Sequence, residues 1–285
     1  MPLYNITYTT SNFYTKPVRE AILELMVLPE NNSGQQCLSY EIQNSLGVKP
    51  QFTESLYGAK LIRFRIPRKF CSFNITVEAT VEKEDINPFD CINYFLPGVW
   101  DEMLIDHEFI TDNYRYLYPT ELTKPVNEIL PEETKRLVDE DLFQYMLRIN
   151  LWAYEHITFE SGVTTTITKI DEILKNRVGV CQDFTHLFIS CMRANGIPAR
   201  YASGYLNQGE GLIGASAMHA WAEVLLPGTG WMGFDPSNNL LADVNYLKIG
   251  HGLDYTDCMP IKGVIIAKGT GSTEYSVKVV EQQTQ

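Results

Sequence analysis

The chain lacks an excess of basic charge: 23 Lys and Arg stand against 35 Asp and Glu, for a formal net charge of -12 over 285 residues. Such a surface repels phosphate backbones, and no Lys/Arg stripe interrupts it. Nucleic acid is therefore not an expected partner, and docking on an anionic membrane is disfavoured for the same reason. Long apolar runs are missing too, so no window reaches the length of a membrane span. The first residues, MPLYNITYTTSNFYTKPVRE, have no basic segment followed by an apolar one, and no secretory signal is expected. The six cysteines, at 37, 71, 91, 181, 191 and 258, contain no Cys-x-x-Cys pair. A chain of this size buries a core without staples, so the thiols are expected to be reduced and the protein cytoplasmic. Internal repeats, low-complexity tracts and clustered Cys/His spacings suited to a metal are all absent.

What is present divides into two parts. Residues 1–95 are strand-rich: YNITYTT alternates, and VREAILELMVL, CLSYEIQNSL, AKLIRFRIP and CSFNITVEATV follow at the spacing of an antiparallel β-sandwich. Residues 96–285 form the second predicted domain, with 96–130 as an irregular connector rich in Pro and aromatics. A helix is predicted from Pro131 to about His156, with an apolar stripe through Leu137, Phe143, Leu147 and Leu151. A shorter one is predicted over Ile170–Lys175, capped by Thr168 or Asp171. A third begins at Cys181 and ends at Asn195-Gly196 before Pro198. Strands follow in ARYASGYL, HAWAEVLL and WMGFDP, and the terminal GVIIA and EYSVKVV are predicted to form a hairpin through KGTGST. Helices first and strands afterwards give an α+β second domain.

Cys181 poses the functional question. It opens a helix behind Gly179, and unpaired N–H groups at a helix start favour the thiolate over the thiol. A nucleophile there needs a base, and the base needs something to orient it. Of the five histidines, His186 stands five places on and points roughly 140° away around the helix, so a structural role is expected. His107, His156 and His251 have no suggested partner. His219 heads the alternating segment HAWAEVLL; Gly228 and Gly230 turn the chain, and WMGFD returns antiparallel, bringing Asp235 beside His219. A carboxylate so placed fixes the imidazole tautomer. Taken singly, each signal has a bland reading: a filler cysteine, a strand histidine, a turn aspartate. Together, each at the end of an element, they point to a thiol active site.

Three segments carry a resemblance to the transglutaminase-like superfamily on a papain-like scaffold. They are TTTITKIDEILKNRVGVCQDF (164–184), GVCQDFTHLFISCMRANGIPARYASGYL (179–206) and AMHAWAEVLLPGTGWMGFDPSNN (217–239). The chain most resembles the bacterial members that carry an additional N-terminal β domain. The resemblance implies Cys181 as nucleophile, His219 as general base and acid, and Asp235 as orienter. It implies acyl transfer on a protein or peptide amide through a thioester, with water as acceptor (hydrolysis) or an amine as acceptor (transamidation). A non-catalytic binding module on the same fold is the third reading. No cofactor is implied. The calcium sites of animal transglutaminases have no recognisable counterpart here, so no metal is expected. The second oxyanion donor is sought near Trp152–Tyr154. Asp183 and Arg200 belong to the motif and are expected to tie the helix to the following strand. The loop 205–219 is expected to wall the cleft. Where family members commonly read Gly-Arg-Asp-Tyr, this chain has Gly252-Leu253-Asp254-Tyr255.

Overall fold

Alternation of apolar and polar residues over Leu3–Val18 produces a long strand, β1, whose Tyr4, Ile6, Tyr8 and Thr10 are buried on one side. The computed structural model describes residues 1–85, 87–89, 98–125, 130–207, 212–214 and 217–282. Five more strands follow: β2 (Glu20–Leu25), β3 (Gln35–Asn44), β4 (Gln51–Glu54), β5 (Lys60–Ile66) and β6 (Phe70–Lys83). Two helices come next, α1 (Val99–Leu104) and α2 (His107–Leu117). Then come α3 (Leu142–His156), β7 (Thr158–Phe159), α4 (Ile170–Asn176), β8 (Val178–Gly179) and α5 (Cys181–Ala194). The chain ends in β9 (Ala199–Leu206), β10 (His219–Leu226), β11 (Gly230–Asp235), β12 (Leu240–Leu241), β13 (Tyr246–Gly252), β14 (Ile261–Ile266) and β15 (Gly271–Gln282). The class is α+β, as expected. Among the described residues no helix is long and apolar enough to cross a membrane.

The sheets do not respect the division at residue 95. One four-stranded sheet has the order β15-β1-β6-β3 and the other β14-β2-β5-β4. The last two strands of the chain therefore complete the N-terminal sandwich, and they do so in different sheets. The predicted GVIIA–EYSVKVV hairpin does not form: β14 pairs with β2, Val264 opposite Ile22, and β15 pairs with β1 from Leu3↔Gln282 to Tyr14↔Gly271. Turn-forming residues between two strand patterns signal a reversal, but they do not decide which strand is the partner.

The helical region needs two further corrections. The connector is not irregular, because α1 and α2 lie within it. Asp106 caps α2 by accepting the Glu108 and Phe109 amides at 3.0 and 2.9 Å. Pro131 starts only a short 3₁₀ turn, Glu132–Thr134, and α3 begins after Asp141, which accepts the Phe143 and Gln144 amides at 2.9 and 3.1 Å. Arg136 holds the intervening segment open by bonding the Glu140 carbonyl and Asp101, and Arg148 pairs with Glu140 at 2.6 Å. Leu137 and Val138 are consequently exposed, whereas Phe143, Met146 and Ile149 are buried. Leu151 faces solvent as well. Neither Thr168 nor Asp171 caps α4; Lys169 stands at its start, and the Thr168 hydroxyl accepts the Thr165 amide instead.

The second part is built on a five-stranded antiparallel sheet, order β12-β11-β10-β9-β13, with α5 packed against β9 and β10. Phe188 of α5 stacks on Phe234 of β11 with ring centroids 5.3 Å apart. Buried polar bonds fasten this sheet to the sandwich. The Tyr205 hydroxyl donates to the Val27 carbonyl at 2.6 Å, and Gln35 bonds both the amide and the carbonyl of Lys248, at 2.8 and 2.7 Å. The five described cysteines are all free, and Cys91 lies outside the described residues.

Candidate active site

The start of α5 is shaped by its first turn. Asp183 folds back so that Oδ2 accepts the Val180 amide at 2.8 Å and the Thr164 hydroxyl at 2.7 Å. The carboxylate is fully buried; burial raises its pKa, and these two bonds oppose the rise. The amide hydrogens of Cys181 and Gln182 take no partner among the described residues. The nucleophile candidate thus stands at a helix end with free donors beside it.

His219 and Asp235 arrive on the β10–β11 hairpin. Leu226 pairs with Gly230 and Ala222 with Phe234, and the turn uses Gly228 and Gly230 at φ 73° and 102°, a region open to glycine. The result is the predicted juxtaposition: His219 Nε2 lies 2.7 Å from Asp235 Oδ2, with both side chains fully buried. Five further donors surround the carboxylate, among them the Asn238 backbone amide at 3.3 Å from Oδ1. The Ser237 amide and hydroxyl reach Oδ1 at 3.0 and 2.6 Å, while the Asn238 side-chain amide and the Tyr246 hydroxyl reach Oδ2 at 2.7 and 2.8 Å. Burial alone would raise the Asp235 pKa, but the His219 charge and the bonds from His219, Ser237 and Asn238 take it down to about 2. Burial would conversely lower His219; Asp235 and the neighbouring Cys181 thiol outweigh that and raise it to about 10.

His219 Nδ1 is buried and makes no hydrogen bond of full geometry. It faces a cavity of about 530 Å³ that it shares with Cys181. Gly214 lies against the ring, where a Cβ would fall 2.5 Å from Nδ1, and Asn238 holds this loop by bonding the Ile213 amide at 2.8 Å and carbonyl at 3.1 Å. The expectation that the 205–219 loop walls the cleft is met at Ile213, Gly214, Ala217 and Met218; residues 208–211 and 215–216 lie outside the described residues.

Sequence reasoning placed some residues wrongly. Trp152 and Tyr154 lie inside α3, Trp152 stacked on His156, and neither lines the cavity. Arg200 does not tie α5 to a strand. It pairs with Glu223 directly across β9–β10 at 2.6 Å, beneath a cation–π contact to Trp231 at 3.9 Å. Lys248 joins the same carboxylate at 2.7 Å. Burial would raise Glu223, but Lys248 and Arg200 bring it down to about 2. Asp183 is structural, but it does not tie α5 to the following strand: it bonds Val180 and Thr164, which precede the helix. His186 has the structural role expected of it: its Nε2 accepts the Tyr255 amide at 3.1 Å, and burial lowers its pKa to about 4. At the departure from the family pattern, the Leu253 carbonyl accepts from the buried Arg193 at 2.7 Å. Missed altogether were Tyr8, Thr273 and Tyr275, which bring the sandwich into the cavity wall.

Comparison with known proteins matches residues 130–236 to the family described as the transglutaminase-like superfamily, and residues 4–82 to the bacterial transglutaminase-like N-terminal region. An uncharacterized protein of Mycobacterium tuberculosis (strain ATCC 25618 / H37Rv) is 31% identical over 302 residues, covering 97% of this chain and 92% of the relative. One of Mycobacterium leprae (strain TN) is 26% identical, with 96% of each chain covered. Among solved structures, a proposed cysteine protease of Cytophaga hutchinsonii aligns with a TM-score of 0.68 at 21% identity, covering 100% of this chain and 92% of that one. That likeness is one of fold, and it extends across both the sandwich and the second sheet.

Proposed function

Because this chain belongs to the transglutaminase-like superfamily, we propose that it is a cysteine-dependent hydrolase of protein or peptide amides. The observation that carries this reading is the buried His219–Asp235 bond of 2.7 Å, with the opposite ring nitrogen turned to the cavity that holds Cys181. In the proposed reaction the Cys181 sulfur attacks the amide carbonyl carbon. His219 carries the thiol proton to the leaving amine as the C–N bond breaks, and a thioester remains. The Cys181 amide hydrogen is placed to receive the developing oxyanion. Water, deprotonated by His219, then attacks the thioester; a carboxylic acid leaves and the thiol is restored. Asp235 holds the imidazole in register and stabilises its charged form.

Water is the acceptor in this reading; transfer to an amine would pass through the same thioester and use the same three residues. The binding-module reading gives no use to a His219–Asp235 pair placed at the same cavity as Cys181.

The test is iodoacetamide alkylation as a function of pH, read at each cysteine by mass spectrometry in wild type and His219→Ala. The reading predicts that Cys181 reacts fastest well below pH 8, where ordinary thiols are protonated, and that the advantage disappears without His219. If Cys181 reacts no faster than exposed Cys71, the reading fails.

A further inference from the structure

Tyr275 is 58% exposed although it lies on the inward side of its strand. Side chains alternate along β15, so Thr273, Tyr275, Val277 and Val279 share one side, and Val277 is buried in the sandwich core. Nearer the start of the strand the core ends, and Thr273 and Tyr275 stand at the wall of the Cys181 cavity. In register, Thr10 lies opposite Tyr275 and Tyr8 opposite Val277, so the buried Tyr8 ring backs the same wall from β1. Tyr255 lines the same cavity as Cys181 and Tyr275, and burial raises its phenol. Its ring packs edge-on against Tyr201 at 6.3 Å, which also lines the cavity.

The wall is also notable for its charge. Apart from His219, its described residues include no Asp, Glu, Lys or Arg, although the chain as a whole is 20% charged. A charged substrate side chain entering this space would lose water and gain no counter-ion from the described wall residues, whereas an apolar or aromatic one would gain burial. The volume of about 530 Å³ has room for such a side chain together with the scissile amide.

We propose that the sandwich acts as the specificity wall of the active site. On this proposal, which rests on the cysteine-hydrolase reading, Tyr275 backed by Tyr8 receives an uncharged aromatic or large apolar side chain of the residue that supplies the scissile carbonyl. The β domain is then a part of substrate recognition, and Tyr275 is a specificity-determining residue contributed from near the far end of the chain.

The experiment compares rates of covalent labelling at Cys181 by peptidyl fluoromethyl ketones with Phe, Leu, Ala, Asp or Lys beside the warhead, and by iodoacetamide, which needs no side-chain pocket. Wild type, Tyr275→Ala and Tyr275→Phe are used, with thermal melting to check folding. Phe and Leu reagents are expected to label at least about tenfold faster than Asp and Lys reagents. Tyr275→Ala is expected to bring Phe to within about threefold of Ala while Cys181 remains the cysteine that iodoacetamide alkylates fastest, and Tyr275→Phe to retain the preference. Equal labelling by Asp or Lys reagents, or a full Phe preference in Tyr275→Ala, overturns the proposal while selective alkylation by iodoacetamide leaves the hydrolase reading standing. Loss of selective iodoacetamide alkylation in wild type overturns both.

Discussion

Gly179 and Asp183 share a space that only one side chain can occupy. A Cβ on Gly179 would lie 2.7 Å from the Asp183 Cβ and 2.9 Å from its Oδ2. The glycine therefore serves the cap of α5: it leaves room for the carboxylate that holds the Val180 amide, and the cap in turn fixes where Cys181 begins its helix. Gly179→Ala is expected to displace Asp183, cost about 1–2 kcal/mol for the lost cap, and slow alkylation of Cys181. Thermal melting and the alkylation rate are the measurements. Wild-type values in both would show that Asp183 finds another way to cap the helix.

Asp235 is expected to matter to turnover more than to folding. In Asp235→Asn the six surrounding donors lose a charged acceptor, and an amide can present its NH₂ to His219 and invert the tautomer. Turnover should fall on the order of 10³–10⁴-fold. Tyr246→Phe, which removes one donor to Oδ2 and keeps the ring against Trp221, should cost far less. Steady-state rates on a peptide amide decide the matter, and equal losses in the two variants would remove Asp235 from its orienting role.

The pair was legible because its geometry is local. A strand, two glycines and a returning strand fix His219 against Asp235 within 16 residues, and the amphipathic run after Cys181 fixes α5. The wall of the cavity was not legible in the same way. Tyr8 and Tyr275 reach one wall through neighbouring β1–β15 pairs, Tyr8 opposite Val277 and Thr10 opposite Tyr275, across almost the whole chain, and alternation says which face a residue takes without saying which strand it will join. The start of α3 failed for a different reason. Pro131 with Glu132 and Glu133 is a sound local start signal, but Asp141 is the residue whose carboxylate accepts the first amides. The helix follows the cap.

Glu223 binds the second sheet together from beneath. It is 8% exposed and receives Arg200 and Lys248 on one oxygen, and Lys248 also lies 3.5 Å from Glu30 of the sandwich side. Glu223→Gln leaves two buried cations short of a counter-charge and should cost about 3 kcal/mol or more of stability. Urea unfolding monitored by tryptophan fluorescence reads the loss. A variant as stable as wild type would mean that water or Glu30 already neutralises Lys248.

The pH dependence of stability carries a signature of the His219–Asp235 pair. His219 is raised in the fold to about 10 from an ordinary value of 6.5, so its contribution to stability is fully present below about pH 6.5 and is lost as pH rises through 10. Asp235 is lowered to about 2 from 3.8, so its contribution is present above about pH 4 and is lost as pH falls through 2. Between pH 4 and 6.5 both contributions are complete. Comparison of wild type with His219→Gln by urea unfolding should therefore show a gap that is widest and flat in that window and closes steadily from neutral pH toward pH 10. The variant keeps a polar ring substitute beside Asp235 but cannot take up the proton. A gap that stays constant to pH 10 would mean that the imidazole is neutral in the resting protein, and His219 would then take the thiol proton only as Cys181 attacks.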